Sequence, residues 1–195
     1  MKKVFYYFMA AMLLGACAKD DNNLTEIEKI KLSMSSTNLS AEDILKSAEY
    51  WQSAKEIYYS EPNGNGKEYI MDRTNLTGGS VYTYLQVEDN TLKQYHNAYM
   101  IGVGSYAPQK ILKRYLMSNR ASNEWELTHY TGAKFYFNIL AYDDNKILVS
   151  TNLWQMTNNQ GTFAHSIVLF TKQNSRPEWF DKCIDEEEYL NTHKE

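Results

Sequence analysis

SVYTYLQVEDNTLKQYHNAYM, residues 80–100, decides the fold class. Side chains alternate across an extended chain, so Val81, Thr83, Leu85 and Val87 fall on one face. Tyr82, Tyr84 and Gln86 fall on the other. Glu88-Asp89-Asn90 then supplies turn chemistry, and a second run rich in strand formers occupies 91–100. A link this short joins antiparallel neighbours, because parallel strands need a crossover of a dozen residues or more. The stretch therefore predicts a hairpin with strands at about 80–87 and 91–100.

The same pattern extends in both directions. Runs of Tyr, Val, Ile, Thr and Phe predict further strands at about 50–60, 67–73, 109–117, 123–130, 134–142, 146–153 and 162–172. Between them stand turn formers: Pro62-Asn63-Gly64-Asn65-Gly66, Gly78-Gly79, the glycines at 102 and 104, Asp143-Asp144-Asn145 and residues 158–161. Trp125, Leu127 and His129 share a face opposite Glu124, Glu126 and Thr128. Ile147, Val149, Thr151 and Leu153 oppose Leu148, Ser150 and Asn152. The run from Phe163 to Lys172 is apolar on both faces, which predicts a cover on its outer side. Ser175-Arg176-Pro177-Glu178 has the form of a capping box with proline in the first turn. Trp179, Phe180, Cys183 and Ile184 follow as a stripe, so a helix of about 176–190 is expected outside the sheet. Upstream, Ser40 with Asp43 three positions on reads as an N-cap, and Ile44, Leu45 and Ala48 give a short helix over about 41–48. The fold class is mainly β: an antiparallel up-and-down meander of eight or nine strands with a short helix before it and a helix after it. Closure into a barrel would remove the exposed edges. A two-sheet β-sandwich is the alternative that the same strands allow.

The first residues carry an address. Lys2 and Lys3 precede an uncharged run at 4–14, and Leu14-Gly15-Ala16-Cys17 closes it. That run is too short to span a bilayer, which takes about twenty residues, and reads as a secretion signal. Leu14-Gly15-Ala16-Cys17 resembles a bacterial lipobox, which implies removal of residues 1–16 and acylation of Cys17. Ala18-Lys19-Asp20-Asp21 resembles the export tag of Bacteroidetes lipoproteins, which implies display on the outer face of the outer membrane. Residues 17–39 are polar, with one weak helical turn near Glu26 to Leu32, and read as a lipidated flexible tether. The β domain then occupies 40–195.

A short helix, Tyr50-Trp51-Gln52-Ser53 entering the first strand, a meander and a terminal helix together resemble the lipocalin-like lipoproteins of Bacteroidetes. Glu49 stands where lipocalins place a glycine two residues before the tryptophan. The resemblance implies a closed barrel that binds a small apolar or amphipathic molecule.

Several functions are disfavoured. The formal charge is −4, and loss of Lys2 and Lys3 with the signal makes the chain more acidic, so no basic footprint for nucleic acid exists. His96, His129, His165 and His193 stand at no metal-ligand spacing. Gly102-Val103-Gly104-Ser105-Tyr106 lacks the geometry of a nucleophile elbow, and no P-loop or dinucleotide fingerprint occurs. No enzymatic signature and no cofactor motif are present. With Cys17 acylated, Cys183 has no partner for an intramolecular disulfide, and its acidic neighbours from Asp181 to Glu188 should raise its pKa.

Sixteen tyrosines and four tryptophans are the unusual feature. Tyrosine offers an apolar face and a hydroxyl, which suits a ligand pocket or a sugar ring. It is also a good strand former, so the same residues fit an ordinary outer sheet face. The candidate ligand-binding residues are Tyr82, Tyr84, Tyr95, Tyr99 and Tyr136, with His129 and His165 if both face the barrel interior. The expected partners are a membrane, through the lipid, and a small hydrophobic ligand. Alternative partners are a protein of an outer-membrane assembly or a glycan. Replacing Cys17 by serine should abolish labelling by radioactive palmitate and release the protein from the membrane fraction; retention there would refute the anchor.

Overall fold

The computed structural model describes residues 24–61, 66–72, 83–99, 108–158 and 161–192. Cys17 and Tyr82 lie outside them. The chain forms two units, 1–33 and 34–195. In the first, Thr25 caps helix α1 (Glu26–Leu32), its hydroxyl accepting from the Glu28 amide while the Glu28 carboxylate accepts from the Thr25 amide.

The second unit begins with a segment that the sequence assigns to the tether. Here the Ser35 amide donates to Asp143 and the Thr37 hydroxyl donates to Asp144 at 2.7 Å. Helix α2 (Ala41–Lys46) follows, capped by Ser40 as its sequence predicts. The strands are β1 (Tyr50–Tyr59), β2 (Glu68–Asp72), β3 (Thr83–Glu88), β4 (Thr91–Tyr99), β5 (Pro108–Ala121) and β6 (Glu124–His129). After them come β7 (Lys134–Tyr142), β8 (Lys146–Thr151), β9 (Met156–Asn158), β10 (Gly161–Phe163) and β11 (His165–Gln173). Predicted and observed strands agree closely, with two differences. The last predicted strand breaks at Ala164, and β9 pairs with β10 as a small separate hairpin. The hairpin of residues 83–99 turns at Asp89, whose φ of +50° is a left-handed conformation that aspartate tolerates.

Sheet order runs β11-β8-β7-β6-β5-β4-β3-β1, and β1 pairs back with β11 over Tyr50–Tyr59. The sheet therefore closes into an antiparallel barrel of eight strands, not a sandwich, with β2 added beside β1. A bulge between Ser53 and Lys55 lets β1 turn while keeping both of its ends paired.

Inner faces follow from register. Trp51, Leu85, Leu92, Leu127, Phe137, Ile147, Val149 and Phe170 are fully buried in one cluster, joined by Ala41, Ile44 and Leu45 of α2. Helix α2 thus stoppers the barrel end where β3 turns into β4 and β7 into β8. The Trp51 indole N–H donates to the Leu45 carbonyl at 2.9 Å, satisfying one of the carbonyls that a helix end leaves unpaired.

The expected helix of 176–190 does not form as one piece. A 3-10 turn (Glu178–Lys182), strand β12 (Ile184–Asp185) and helix α3 (Glu186–Thr192) replace it. Pro177 precedes the turn without any side-chain cap, so the capping box is not made. The cause of the break lies in β5. Its first half projects beyond the end of β6, and β12 fills that open edge by pairing in parallel with Ile111 and Leu112. The segment does dock outside the barrel, but against β1, β3, β4 and β5 and not over the 163–172 run it was expected to cover. Phe180 stacks on Tyr95 at 4.0 Å and 2°, and meets Tyr50 and Tyr84 edge-on at 5.1 and 5.2 Å. Phe180→Ala should cost about 3 kcal/mol, which differential scanning calorimetry would read as a fall in melting temperature of roughly 6–12 °C for a domain of this size.

Candidate functional site

Alternation places polar side chains as well as apolar ones on the inner wall, and it sorts them by height. Toward α2 the wall is apolar and closely packed. Toward the opposite end, where β1, β4, β6 and β8 finish, it carries a belt of polar residues. Ser53, Glu56 and Tyr58 come from β1, Thr83 from β3, Gln94 and His96 from β4, Tyr115 from β5, Thr151 from β8 and Ser166 from β11. All of these except His96 are buried, Glu56 to 4% exposure.

A buried polar group is costly unless bonded, and the belt is bonded largely to itself. The Tyr58 hydroxyl donates to Glu56 Oε2 at 2.5 Å, and the Tyr115 hydroxyl donates to Gln94 Oε1 at 3.0 Å. Thr83 Oγ1 and His96 Nδ1 are 2.9 Å apart, and the Thr83 amide donates to Ser53 Oγ. Burial pushes the Tyr115 phenol well above its ordinary pKa, with Glu186 adding to the effect, so Tyr115 stays a neutral donor at ordinary pH.

At the rim, Glu186 of α3 accepts from Lys113 Nζ and faces His129 Nε2, both at 3.0 Å. The inner-wall residue His129 is thus joined to the C-terminal segment. Arg114 pairs with the neighbouring Asp185.

The segment after β8 bends inward. Several polar groups around it are paired: the Thr151 hydroxyl donates to the Tyr136 carbonyl, the Leu153 amide to Thr151 Oγ1, and the Tyr136 amide to Asn152 Oδ1. Ser166 Oγ donates to the Thr151 carbonyl. Leu153 and Trp154 pack against the core cluster, with the Trp154 ring 6.0 Å from inward-facing Phe170. Trp154 Nε1 is shielded from solvent and has no hydrogen-bond partner. Among the described residues it is the buried side-chain donor left unpaired.

The residues singled out by sequence are dispersed. Tyr84 and Tyr95 face outward, in a cluster with Tyr50 and Phe180 that is separate from the core. They hold the C-terminal segment and do not line the barrel. His129 faces inward, but β11 has the opposite parity: Ser166 and Val168 point in, so His165 points out. The two histidines therefore do not meet. His165 instead pairs with Tyr136, the phenol oxygen 3.1 Å from Nδ1. Tyr136 lies on the outer wall, beside an open trough of about 360 Å³ that Glu126, Lys134, Asn138 and Asn152 also line. Lys134 and Arg120 both donate to Glu126 and hold its carboxyl below the usual range. Tyr99 is described in its backbone alone. Among the described residues no group of three or more His, Cys, Asp or Glu is placed to hold a metal ion, and no helix is long and apolar enough to cross a membrane.

Sequence reasoning missed Glu56, Gln94, His96, Tyr115 and Trp154. Parity was a usable signal for Gln94 and His96, which alternate with Tyr95 inside the quoted hairpin. For Glu56 it was not, because the bulge at Ala54 reverses the faces of β1 midway.

No family model matches this sequence, and no curated protein matches it. Solved structures do. Bovine odorant-binding protein in complex with undecanal is 14% identical, with a TM-score of 0.37, over 84% of this chain and 99% of that one. The same bovine protein with a selenium-containing odorant is 12% identical, with a TM-score of 0.39, over 81% and 88%. Lobster apocrustacyanin A1 is 10% identical, with a TM-score of 0.36, over 83% and 84%. The barrel itself is established by its own strand order.

Cys183, half-buried in the C-terminal segment, lies in surroundings that disfavour its thiolate. Burial foremost pushes its thiol up to about 11, Asp181 adds a smaller push, and Lys110 and Arg176 act against it. The direction is the one read from sequence, but burial is the main cause, not the acidic neighbours. A raised thiol pKa favours the neutral form in the fold, so this contribution to stability is complete below the ordinary pKa and is lost as pH rises toward 11. Iodoacetamide at pH 8 should alkylate Cys183 about a hundredfold more slowly than free cysteine, one factor of ten for each unit of pKa. Urea should remove the difference, and equal rates in the folded protein would contradict this burial.

Proposed function

We propose that the domain is a calyx, held at a bacterial outer membrane by lipid on Cys17, which takes one small amphipathic molecule through the end of the barrel opposite α2. The observation that carries this reading is the division of the inner wall. One end is stoppered by Trp51 and α2 and lined with aliphatic and aromatic side chains, while the other holds hydrogen-bonding groups. An amphipathic guest matches both parts, its chain toward the apolar floor and its polar end in the belt. Binding, not catalysis, suits a belt whose members are paired with one another and whose tyrosine is locked neutral. The lipobox-like run Leu14-Gly15-Ala16-Cys17 and the polar leader support the membrane location, since two or more acyl chains would hold the protein firmly at a bilayer.

N-Phenyl-1-naphthylamine, which fluoresces in apolar surroundings, tests the calyx. The purified protein should give a saturable signal with energy transfer from Trp51 and Trp125, both inside the barrel. Ser166→Phe, which fills the belt, should abolish the signal, whereas Asn138→Ala on the outer wall should leave it intact. No saturable signal, or a signal unchanged in a folded Ser166→Phe protein, would overturn the reading.

A further inference from the structure

We propose that the Trp154 indole N–H is the polar anchor of the calyx, so that the bound molecule carries a hydrogen-bond acceptor, a carbonyl-type oxygen, on an apolar chain. The inference rests on the calyx reading and deepens it.

The argument starts from which groups are already occupied. Guests compete poorly for donors that have partners, because each protein hydrogen bond broken must be replaced. Tyr58 donates to Glu56, Tyr115 to Gln94, and Thr83 stands bonded to His96. Thr151, Asn152 Oδ1 and Ser166 around the bend after β8 are likewise paired. Among the described residues, Trp154 Nε1 is the side-chain donor that is both buried and unpaired. An unmet buried donor costs about 1–3 kcal/mol, and most such groups in folded proteins find a partner.

Three partners would remove that cost. Among the described residues no acceptor meets it. A lone water needs two to four polar partners of its own, and the Thr151 hydroxyl, the Ser166 hydroxyl and Asn152 Oδ1 beside the bend are already engaged. A guest oxygen meets the donor without disturbing any existing bond. The position suits this role, since the Trp154 ring lies against Phe170 at the boundary between apolar floor and polar belt. An indole nitrogen donates only, so it selects acceptors and offers nothing to an ammonium group or a bare hydrocarbon.

The test uses 2-octanone and 2-methyl-1-octene, in which a carbonyl oxygen is replaced by a methylene of similar shape. Each displaces the fluorescent probe from the purified protein, and indole N–H resonances are followed by ¹H–¹⁵N NMR, with the Trp154 peak identified by its loss in Trp154→Phe. The ketone should shift the Trp154 peak, the alkene should not, and the Trp51 peak, bonded to Leu45, should stay in place with either. Trp154→Phe should weaken the ketone about fivefold relative to the alkene, the size of one net hydrogen bond. If both compounds displace the probe but the Trp154 peak is unmoved, or the variant weakens both equally, the anchor is wrong and the calyx stands. If neither displaces the probe, and the probe itself does not bind, the calyx falls and the anchor with it.

Discussion

The hydrogen bond from the Trp51 indole to the Leu45 carbonyl, with the burial of the ring beneath it, is the constraint on which the rest of the barrel depends. Trp51 sits where β1 begins, at the seam where the first strand meets both β3 and β11. Its ring is wholly buried among residues of α2 and the inner wall. One bond of this kind contributes only about 1 kcal/mol net, but it fixes the angle at which a six-residue helix lies across the barrel end. A helix that short has little stability of its own. Docking lets Ala41, Ile44 and Leu45 act as a floor. Opposite Trp51 on β11 stands Lys172, whose ammonium reaches Ser47 just beyond the helix. Strand, helix and seam are thereby tied at one point.

A second constraint comes from unequal strand lengths. β5 is fourteen residues long and β6 only six, so half of one edge of β5 would face solvent unpaired. An open edge of that length invites pairing with another chain. Ile184 and Asp185 cover part of it, and the flanking contacts hold them there: Phe180 among three tyrosines on the outer wall, Glu186 between Lys113 and His129 at the rim. The aromatic richness is thus spent largely outside the barrel. Tyr50, Tyr84 and Tyr95 are where they are because a terminal segment must be held, and this explains why tyrosine content did not point to the inner wall.

Period-two alternation was legible at once, and with it most strands, the inward set Thr83, Leu85 and Val87, and the helix capped by Ser40. Such features are local, and local chemistry decides them. Closure itself was expected from the need to remove exposed edges, but its register was not legible, because β1 and β11 lie more than a hundred residues apart and no turn residue encodes their pairing. The bulge at Ala54 inverts the face of Glu56 and Tyr58, and nothing around Ala54 announces it. The C-terminal segment reads as an amphipathic helix by its stripe, but an unpaired edge elsewhere pulled Ile184 into a strand. Tertiary context overrode a marginal helical preference.

These constraints bear on what the inner wall is able to recognise. A belt of unpaired polar groups would favour water or a strongly polar guest. This belt is closed on itself: carboxylate with phenol, amide with phenol, imidazole with hydroxyl. Its donors are therefore mostly occupied before any guest arrives. Selectivity must then come from whatever donors remain, and a single buried unpaired indole is enough to supply it. Because that donor is already unpaired in the free barrel, a guest without an acceptor leaves its cost in place, whereas a guest that brings an acceptor removes it. A largely apolar barrel can in this way discriminate by one atom while still accepting chains of different shape.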